Sequence, residues 1–593
     1  MFSFFLTLSL SMFITVKVFS SEKLTDFSCE KLIEKSKDSK FSLSTLAGLR
    51  AHKKCENFKY EWRNVSEFEK KLYSDELAEI DPNVKKPISE ASIDELKAEV
   101  KNQKDLTLKF KAYKQLRQKY KNSGKKTEAI TTATQLFTFA KKNWKAKKTD
   151  SALKLQYLEA SLIQARILFN TDKIKQAREI LKYLNEDLKN ENLAESYFLS
   201  AKIFEDEKKY DLAIGEYDKA LKIVENKGQP QGSGLDLNKL GWTKSWLLYK
   251  TDQWTQAEKS FKEFSESTQD QTEKTRADFF RARTLAKLEK PIEAKLVLKN
   301  IIAHDFYSYY ALASYFILNE NLPAISDFKN SESFKYNAQL DFLDQSKKNI
   351  FTDLIDYQEY DIAEKSIPLF SKTLDQNVQL SIYLAEKTQR YLPLFSSFAK
   401  LPNVTKKDIL LTHSQLVFPR PFENEVKKMS EKTGLQTSLI YSIMKQESGF
   451  NEQNKSHADA YGLMQLIPRL AKSLAKKYEI EYRFPEDLYK PEINIPLGCF
   501  ELKDQIKKQN GQLTFVAAAY NAGPGALSGW LKQRKSTEDI FDFVESIPYD
   551  ETRTYVKIIA RNKLFYERLE SPKKSLPFPA EFVTEVAAES VSK

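Results

Sequence analysis

This chain of 593 residues is poor in the residues that build metal centres and disulfide scaffolds. It contains three cysteines and four histidines, and neither an HExxH motif nor a Cys/His cluster occurs. After the N-terminus no segment is long and apolar enough to cross a bilayer. These absences argue against a metal site and against a protein with several membrane spans.

Recognised nucleic-acid-binding motifs are also missing. There is no zinc finger, no RNA-binding aromatic motif and no block of pure Lys/Arg, although the net charge is +12. Basic and acidic residues alternate along the chain, as they do on solvated helix faces. The charge favours acidic cell-wall material or an anionic membrane surface as a partner, and no nucleic acid is expected.

The first residues, "MFSFFLTLSLSMFITVKVFSS", are apolar and nearly free of charge. We interpret residues 1–20 as a secretory signal peptide, with a retained membrane anchor as the alternative. Export places the protein in an oxidising compartment, where Cys29 and Cys55, which flank one helical hairpin, can form a disulfide. Cys499 lies in an apolar helix and is expected to be a buried thiol.

The middle of the chain repeats one pattern, in which a small residue is followed by an apolar residue at three, a bulky residue or Pro at nine and Ala at twelve. The four units are Ala165/Leu168/Ile174/Ala177, Ala201/Phe204/Tyr210/Ala213, Ser245/Leu248/Trp254/Ala257 and Ala282/Leu285/Pro291/Ala294. Their starts are 36, 44 and 37 residues apart. The pattern resembles tetratricopeptide repeats and predicts helical hairpins, because small residues let paired helices approach closely.

Stacked hairpins of this kind curve into a superhelix with a concave face. We expect such an α-superhelical region over residues 21–415. By itself it indicates a binding scaffold, so an exported repeat protein without catalytic activity is one function class that the sequence leaves open.

Two prolines in "VFPRPF" mark a boundary near residue 416, and four short segments follow it. They are "QESGF", "AYGLMQLIP", "AAAYNAGPGAL" and "VESIPYDETRTYV", with "PEDLYKPEINIPLGCFEL" between the second and third. Glu447 of "QESGF" shares a helix face with Leu439 and Ile443. It is either a carboxylate at the rim of the core or a desolvated acid with a raised pKa.

Together, in this order, the four segments resemble the catalytic domain of soluble lytic murein transglycosylases, which share the lysozyme-like fold. The resemblance extends over about residues 421–569 and implies an all-α protein with a lysozyme-like domain at 416–570. It also implies an exported, periplasmic enzyme that requires no cofactor and acts on peptidoglycan glycan strands, with peripheral association with a membrane left open.

The resemblance also implies residue roles. Glu447 matches the single catalytic acid, and Ser448 is expected to steady its carboxyl group. The residues implied to bind substrate are Ser448, Met464, Gln465, Tyr520, Asn521, Glu551 and Tyr555. Of these, Gln465 would meet an N-acetyl group, the hydroxyl of Tyr520 would lie near the acid, Glu551 would hold polar groups of the substrate, and Tyr555 would stack on a sugar.

Two positions depart from the family pattern. Asp459 stands where Gly is common, and Leu470 stands where Thr is usual. These departures bear on the conformation of the loop near Met464 and on the fit of the substrate there. Asp459 also raises the hypothesis of a second catalytic carboxylate, since most glycosidases use two.

The sequence thus predicts cleavage of the β-1,4 bond between N-acetylmuramic acid and N-acetylglucosamine, with formation of 1,6-anhydro-N-acetylmuramic acid. A lysozyme-type hydrolase on the same fold and a non-catalytic scaffold are the alternatives. Residues 571–593 are aperiodic, and we expect a flexible tail there.

Overall fold

The computed structural model describes residues 23–56, 58–61, 65–80, 91–230, 234–329, 339–456, 458–535 and 538–583. The predicted signal peptide at 1–20 lies outside them. Throughout the described residues the regular structure is helical, with isolated β-bridges but no strand. The predicted all-α fold class is confirmed. None of the described helices combines the length and the apolar character that crossing a bilayer requires.

The described residues form two compact units. The first contains those before residue 85, those from 325 to 573 and those from 581 onward. The second contains those from 85 to 324 and from 574 to 580. The predicted boundary near 416 therefore lies inside the first unit and remains a prediction.

Thirty α-helices are described, α1 to α30 in chain order. Those before residue 85 are Cys29–Lys37, Ser44–Lys54, Glu67–Leu72 and Ser74–Ile80. Helices α5 to α16 are Ile93–Asn102, Leu106–Asn122, Lys126–Ala146, Ser151–Asn170, Ile174–Asp187, Ala194–Asp206, Tyr210–Lys227, Leu237–Lys250, Trp254–Ser267, Gln271–Lys287, Pro291–His304 and Tyr309–Ile317.

Helices α17 to α22 are Gln345–Asp356, Tyr360–Phe370, Leu374–Thr388, Leu392–Ala399, Asn403–Thr412 and Ser414–Val417. Helices α23 to α30 are Glu423–Thr433, Thr437–Glu447, Pro468–Tyr478, Pro491–Lys508, Leu513–Ala522, Pro524–Gln533, Ile540–Ser546 and Asp550–Glu570. Short 3₁₀ helices are Leu24–Asp26, Ile325–Asp327, Pro485–Tyr489 and Ala580–Phe582.

The four predicted repeat units are helical hairpins. In each, the second helix begins at the bulky residue of the pattern: Ile174, Tyr210, Trp254 and Pro291. The small residue of the first helix and the alanine of the second are buried in all four units. The predicted close approach of paired helices is therefore confirmed, and consecutive hairpins pack against each other in chain order.

Each hairpin turn has one residue in the left-handed backbone region, two positions before the second helix. These residues are Asp172, Lys208, Asp252 and Glu289, with φ between 59° and 60°. Gln358 has the same φ of 60° before α18, so the "YDIAEK" segment at Tyr360 follows the same turn. The turn geometry repeats although the turn residue does not, because the backbone conformation is set by the paired helices rather than by glycine.

The N-terminal helices belong to the core of the first unit. Cys29 and Cys55 form a disulfide that joins α1 to α2, as the sequence allowed. Side chains of these helices share one apolar cluster with α17, α18 and α19. Arg50 forms an ion pair with the buried Glu359 at the edge of this cluster.

The lysozyme-like part of the first unit is built around α24 and α30. These helices pack against each other, α30 also contacts α27, and α26 contacts α23 and α27. Residues Ser438 to Lys445 of α24 are all buried. The helix that ends in Glu447 is therefore a central helix of this part, and its end is held by the elements around it.

The predicted flexible tail, residues 571–593, needs correction over its described part. Glu581 forms an ion pair of 2.6 Å with the buried Lys563, and Thr514 donates a hydrogen bond of 2.7 Å to the carbonyl of Phe582. The side chain of Phe582 is fully buried. An aperiodic sequence argues against a long helix but not against packing. Here the segment is held by individual contacts: the ion pair of Glu581, the hydrogen bond to the Phe582 carbonyl and the buried ring of Phe582.

Candidate active site

Glu447 is the last residue of α24, where the buried apolar stripe of the helix ends. The residue as a whole is partly exposed, while its carboxyl group is largely desolvated. Burial raises the pKa of this carboxyl group from 4.5 to about 7. The interpretation as a desolvated acid is thereby supported over the interpretation as a solvated rim residue.

Two neighbours modify this pKa in opposite directions. The hydroxyl of Tyr555 donates a hydrogen bond of 2.6 Å to Oε1 of Glu447, which stabilises the ionised form and lowers the pKa. The negative charge of Glu551 raises it. Both residues lie on α30, four positions apart and therefore on one face of the helix. This face of α30 sets the electrostatic environment of the acid.

The position of Tyr555 differs from the predicted one. Its side chain is 3% exposed, and the ring is enclosed by the core, so no face is available for stacking on a sugar. Burial, followed by the charge of Glu447, raises the pKa of its phenol well above 10. Tyr555 is therefore a hydrogen-bond donor that holds the acid, a role that we had not predicted.

Ser448 is also placed differently. Its hydroxyl donates to the backbone carbonyls of Met444, at 3.1 Å, and Leu463, at 2.9 Å, and it accepts from the amide of Phe450. The predicted hydrogen bond to the carboxyl group of Glu447 is not among these contacts. Ser448 instead ties the turn after Glu447 to the turn that contains Leu463.

The turn after Glu447 packs against α20. Gly449 has a φ of 58°, and a Cβ atom there would overlap the side chain of Leu392. The ring of Phe450 makes edge contacts with Tyr391 and Phe395. The glycine of "QESGF" is required both for its left-handed backbone and for this close approach.

Met464 and Gln465 lie in the turn of the "GLMQ" segment. Met464 is fully buried, so its side chain presents no surface to a ligand. Gln465 is partly exposed and has a φ of 49°. Its Nε2 donates to the carbonyls of Asn454, at 3.1 Å, and Gly462, at 2.9 Å. Its Oε1 is the part of the amide that remains to accept a hydrogen bond from a substrate.

The hydroxyl of Tyr520 donates a hydrogen bond of 2.9 Å to the carbonyl of Met464. Burial, followed by the charge of Glu447, raises the pKa of Tyr520 well above 10, which places this phenol within the field of the acid. Oδ1 of Asn521 accepts a hydrogen bond of 2.6 Å from Thr552 and thereby joins α27 to α30.

Asp459 and Leu470, the two departures from the family pattern, both have structural explanations. Asp459 has a φ of 61°, the conformation that favours glycine, and its carboxylate is 2.9 Å from Lys455. The hydrogen bond with Lys455 lowers the pKa of Asp459, which is exposed and also accepts from the hydroxyl of Tyr461. These contacts give no support to a second catalytic carboxylate. Leu470 packs on an apolar cluster that contains Tyr461.

Asn494 was not singled out from the sequence. It lies on α26, is fully buried, and hydrogen-bonds the backbone of Tyr461, just before the "GLMQ" turn, and of Met464, within that turn. In the sequence, Asn494 stands out as a polar residue within the apolar run "INIPLG". Among the described residues, no group of three or more Asp, Glu, His or Cys side chains is arranged to hold a metal ion.

Known proteins resemble this chain both in part of its sequence and in its fold. Residues 424–543 match the family described as "Transglycosylase SLT domain". A soluble lytic murein transglycosylase of Salmonella typhimurium is 34% identical over 174 residues, which are 29% of this chain and 27% of that protein. The alignment thus spans about a quarter of the length of this relative.

Two crystal structures share the fold. The 70-kDa soluble lytic transglycosylase of Escherichia coli matches with a TM-score of 0.56 and 20% identity, over 96% of this chain and 84% of that one. An inactive mutant of the lytic transglycosylase Slt from Pseudomonas aeruginosa matches with a TM-score of 0.54 and 18% identity, over 92% and 95%. This chain is therefore similar to the soluble lytic murein transglycosylases in fold and, over residues 424–543, in the sequence of a Transglycosylase SLT domain.

Proposed function

We propose that this protein is a peptidoglycan lytic transglycosylase. It cleaves the β-1,4 bond between N-acetylmuramic acid and N-acetylglucosamine and leaves a 1,6-anhydro-N-acetylmuramic acid end. The observation that supports this most directly is Glu447, a partly exposed residue whose buried carboxyl group has a pKa raised to about 7 and accepts a hydrogen bond from Tyr555. Such a group keeps a substantial protonated fraction up to about neutral pH and can act as a general acid.

In the first step, Glu447 transfers its proton to the glycosidic oxygen, and the bond from that oxygen to C1 of the muramic sugar breaks. The N-acetylglucosamine part leaves with the proton, and positive charge develops at C1. The N-acetyl oxygen of the muramic sugar stabilises this charge. The hydrogen bond from Tyr555 strengthens as Glu447 becomes a carboxylate, so the donor favours the charge that develops.

In the second step, the Glu447 carboxylate accepts the proton of the C6 hydroxyl of the same sugar, and O6 bonds to C1. The enzyme returns to its protonated form and no water is consumed. Because the attack is intramolecular, it has a high effective concentration and competes well with water in an enclosed site. One carboxyl group therefore serves as acid and then as base, which agrees with Asp459 being bonded to Lys455.

The test is the mass of the products released from purified peptidoglycan. An anhydro end is about 18 mass units lighter than a hydrolysed end, since hydrolysis adds one water. We expect anhydro ends from the wild-type protein and no turnover from Glu447→Gln, with the fold retained. Ordinary reducing ends would indicate a lysozyme-type hydrolase, and near-normal activity of Glu447→Gln would show that the acid is another residue.

The proposal includes export, with residues 1–20 removed and the mature chain beginning near Ser21 in the periplasm. Its partner there is the glycan strand, whose stem peptides carry carboxylates that suit the net charge of +12. N-terminal sequencing of protein from the envelope fraction tests this. Recovery of an intact Met1 in the membrane would contradict the cleavage of a signal peptide.

A further inference from the structure

The segment "PEINIPLG", Pro491 to Gly498, forms the start of α26 and has no part in the proposed chemistry. Asn494 within it is fully buried and makes three hydrogen bonds. Its Oδ1 accepts from the amide of Met464 at 2.8 Å. Its Nδ2 donates to the carbonyls of Tyr461, at 2.9 Å, and Leu488, at 2.7 Å. The amide group of one side chain thus bonds to three backbone groups.

Two glycines allow α26 to lie this close to the "GLMQ" turn. Gly462 has a φ of 74°, and a Cβ atom there would overlap the carbonyl of Leu488 and the amide of Asn494. At Gly498 a Cβ atom would overlap the side chain of Met464. The fit between helix and turn is therefore specific to these residues, and an amide of the length of asparagine bridges the remaining gap.

The same turn is held from two further directions. The hydroxyl of Tyr520 donates to the carbonyl of Met464, and the hydroxyl of Ser448, next to the acid, donates to the carbonyl of Leu463. The peptide units around Met464 thus connect Asn494 with the residues beside Glu447. Removing Asn494 would leave one backbone N–H and two carbonyls without this partner in a buried site, so the turn would have to move.

We propose that Asn494 is a positioning residue: it fixes the turn from Tyr461 to Met464 so that the Met464 carbonyl receives the hydroxyl of Tyr520 beside Glu447. This proposal rests on the proposed function for its catalytic consequence. The position of Tyr520 itself does not depend on that function and can be measured without substrate.

The first experiment observes Tyr520 directly. The chain is labelled with [4-¹³C]tyrosine, and the resonance of Tyr520 is assigned by its loss in Tyr520→Phe. In Asn494→Leu we expect this resonance to shift, because the hydrogen bond to the Met464 carbonyl changes. Gln505→Leu is the matched control, since it removes another buried amide from α26 that donates to the side chain of Glu501. An unmoved resonance in folded Asn494→Leu would overturn the proposal.

The second experiment is a double-mutant cycle in initial rate on purified peptidoglycan, below the unfolding temperature of each variant. We expect Asn494→Leu and Tyr520→Phe each to lower kcat at least tenfold. The double variant should be no more than about threefold slower than the slower single variant, since both act through the Met464 carbonyl. Gln505→Leu should stay within about twofold of wild type.

If the losses in kcat of the two single variants multiply in the double variant, the positioning role is overturned. Equal losses in kcat for Asn494→Leu and Gln505→Leu, at equal stability, would also overturn it. Failure of the wild-type protein to release anhydro ends would instead contradict the proposed function. In that case the Tyr520 resonance still decides whether Asn494 positions it.

Discussion

At the scale of single residues, the proposed chemistry depends on how one carboxyl group, that of Glu447, is surrounded. Burial disfavours the charge of Glu447 and raises its pKa to about 7, while Tyr555 lowers and Glu551 raises that pKa. Both neighbours are on α30, so the acid and its electrostatic environment come from two packed helices. This arrangement makes the pH dependence of the reaction sensitive to specific substitutions.

The pH profile of kcat/KM should reflect these neighbours. Because the acid must be protonated, activity should hold below about pH 7 and fall above it. Tyr555→Phe removes a donor that favours the carboxylate, so the alkaline limb should move to higher pH by about 0.5 to 1 unit. Glu551→Gln removes a negative charge, so the limb should move to lower pH by a similar amount. Tyr549→Phe, at the exposed cap of the same helix, is the control and should leave the limb in place.

Opposite movements in the two variants would identify Glu447 as the titrating group. If both variants leave the alkaline limb unchanged, another residue determines it. The measurement uses rates on soluble glycan fragments across about pH 5 to 9, so that the acid is followed from mostly protonated to mostly ionised.

The raised pKa of Glu447 should also be visible in stability. The native state keeps the proton up to about pH 7, whereas the unfolded chain loses it near the ordinary value of 4.5. The free energy of unfolding of the wild type therefore falls as pH rises between these values, by about 1–3 kcal/mol. Glu447→Gln resembles the protonated form and should be more stable than the wild type at about pH 8 by that amount.

Urea denaturation at about pH 4.5 and about pH 8 checks this expectation. The two proteins should be similar at the lower pH and differ at the higher one. Glu431→Gln, an exposed position on α23, is the control and should change stability little at either pH. A Glu447→Gln variant that is less stable than the wild type at about pH 8 would contradict a buried, destabilised carboxylate.

At the scale of elements, the repeat hairpins follow local rules. A buried small residue on each helix sets their separation, and the second helix starts at the bulky residue in all four units. These features are visible in sequence because they recur at fixed spacing. The left-handed residue of each turn has no constant side chain and was therefore not predictable from composition.

Ala213 and Ala257, which are fully buried between paired helices, provide a stability test. Substituting either with Trp should overpack the contact and lower the free energy of unfolding by about 1–3 kcal/mol or more. Lys222→Trp, on the exposed face of α11, should have a much smaller effect. Thermal denaturation of the three variants makes the comparison, and equal stabilities would contradict the close packing of the hairpins.

At the scale of the whole molecule, the segment that matches the family and the compact unit that contains it have different bounds. The family match covers residues 424–543, but the compact unit that contains them also includes α1 to α4 and α17 to α22. Helix α20 contacts the turn after Glu447 through Leu392 and Phe395, so helices outside the matched segment support the site. The compact unit is larger than the segment that matches the family because cores form between segments distant in sequence.

The net charge of +12 leads to a prediction for the whole protein. Attraction to the carboxylates of peptidoglycan is screened by salt, since the Debye length falls from about 10 Å at 0.1 M to about 3 Å at 1 M. We expect KM on intact sacculi to rise about threefold or more over this range. On glycan chains without stem peptides the change should be smaller. Equal salt dependence for both substrates would exclude this electrostatic contribution.

The sequence by itself determined the all-α class and the repeat hairpins, because both depend on periodicity, and it marked Glu447 as one residue out of place on a helix face. Only the tertiary structure decided the partners. Tyr555 and Glu447 are 108 residues apart, and the sequence did not indicate that Ser448 and Asn494 bond to backbone groups of the "GLMQ" turn. Hydrogen bonds between distant segments depend on how the helices pack. Local sequence patterns do not predict that packing.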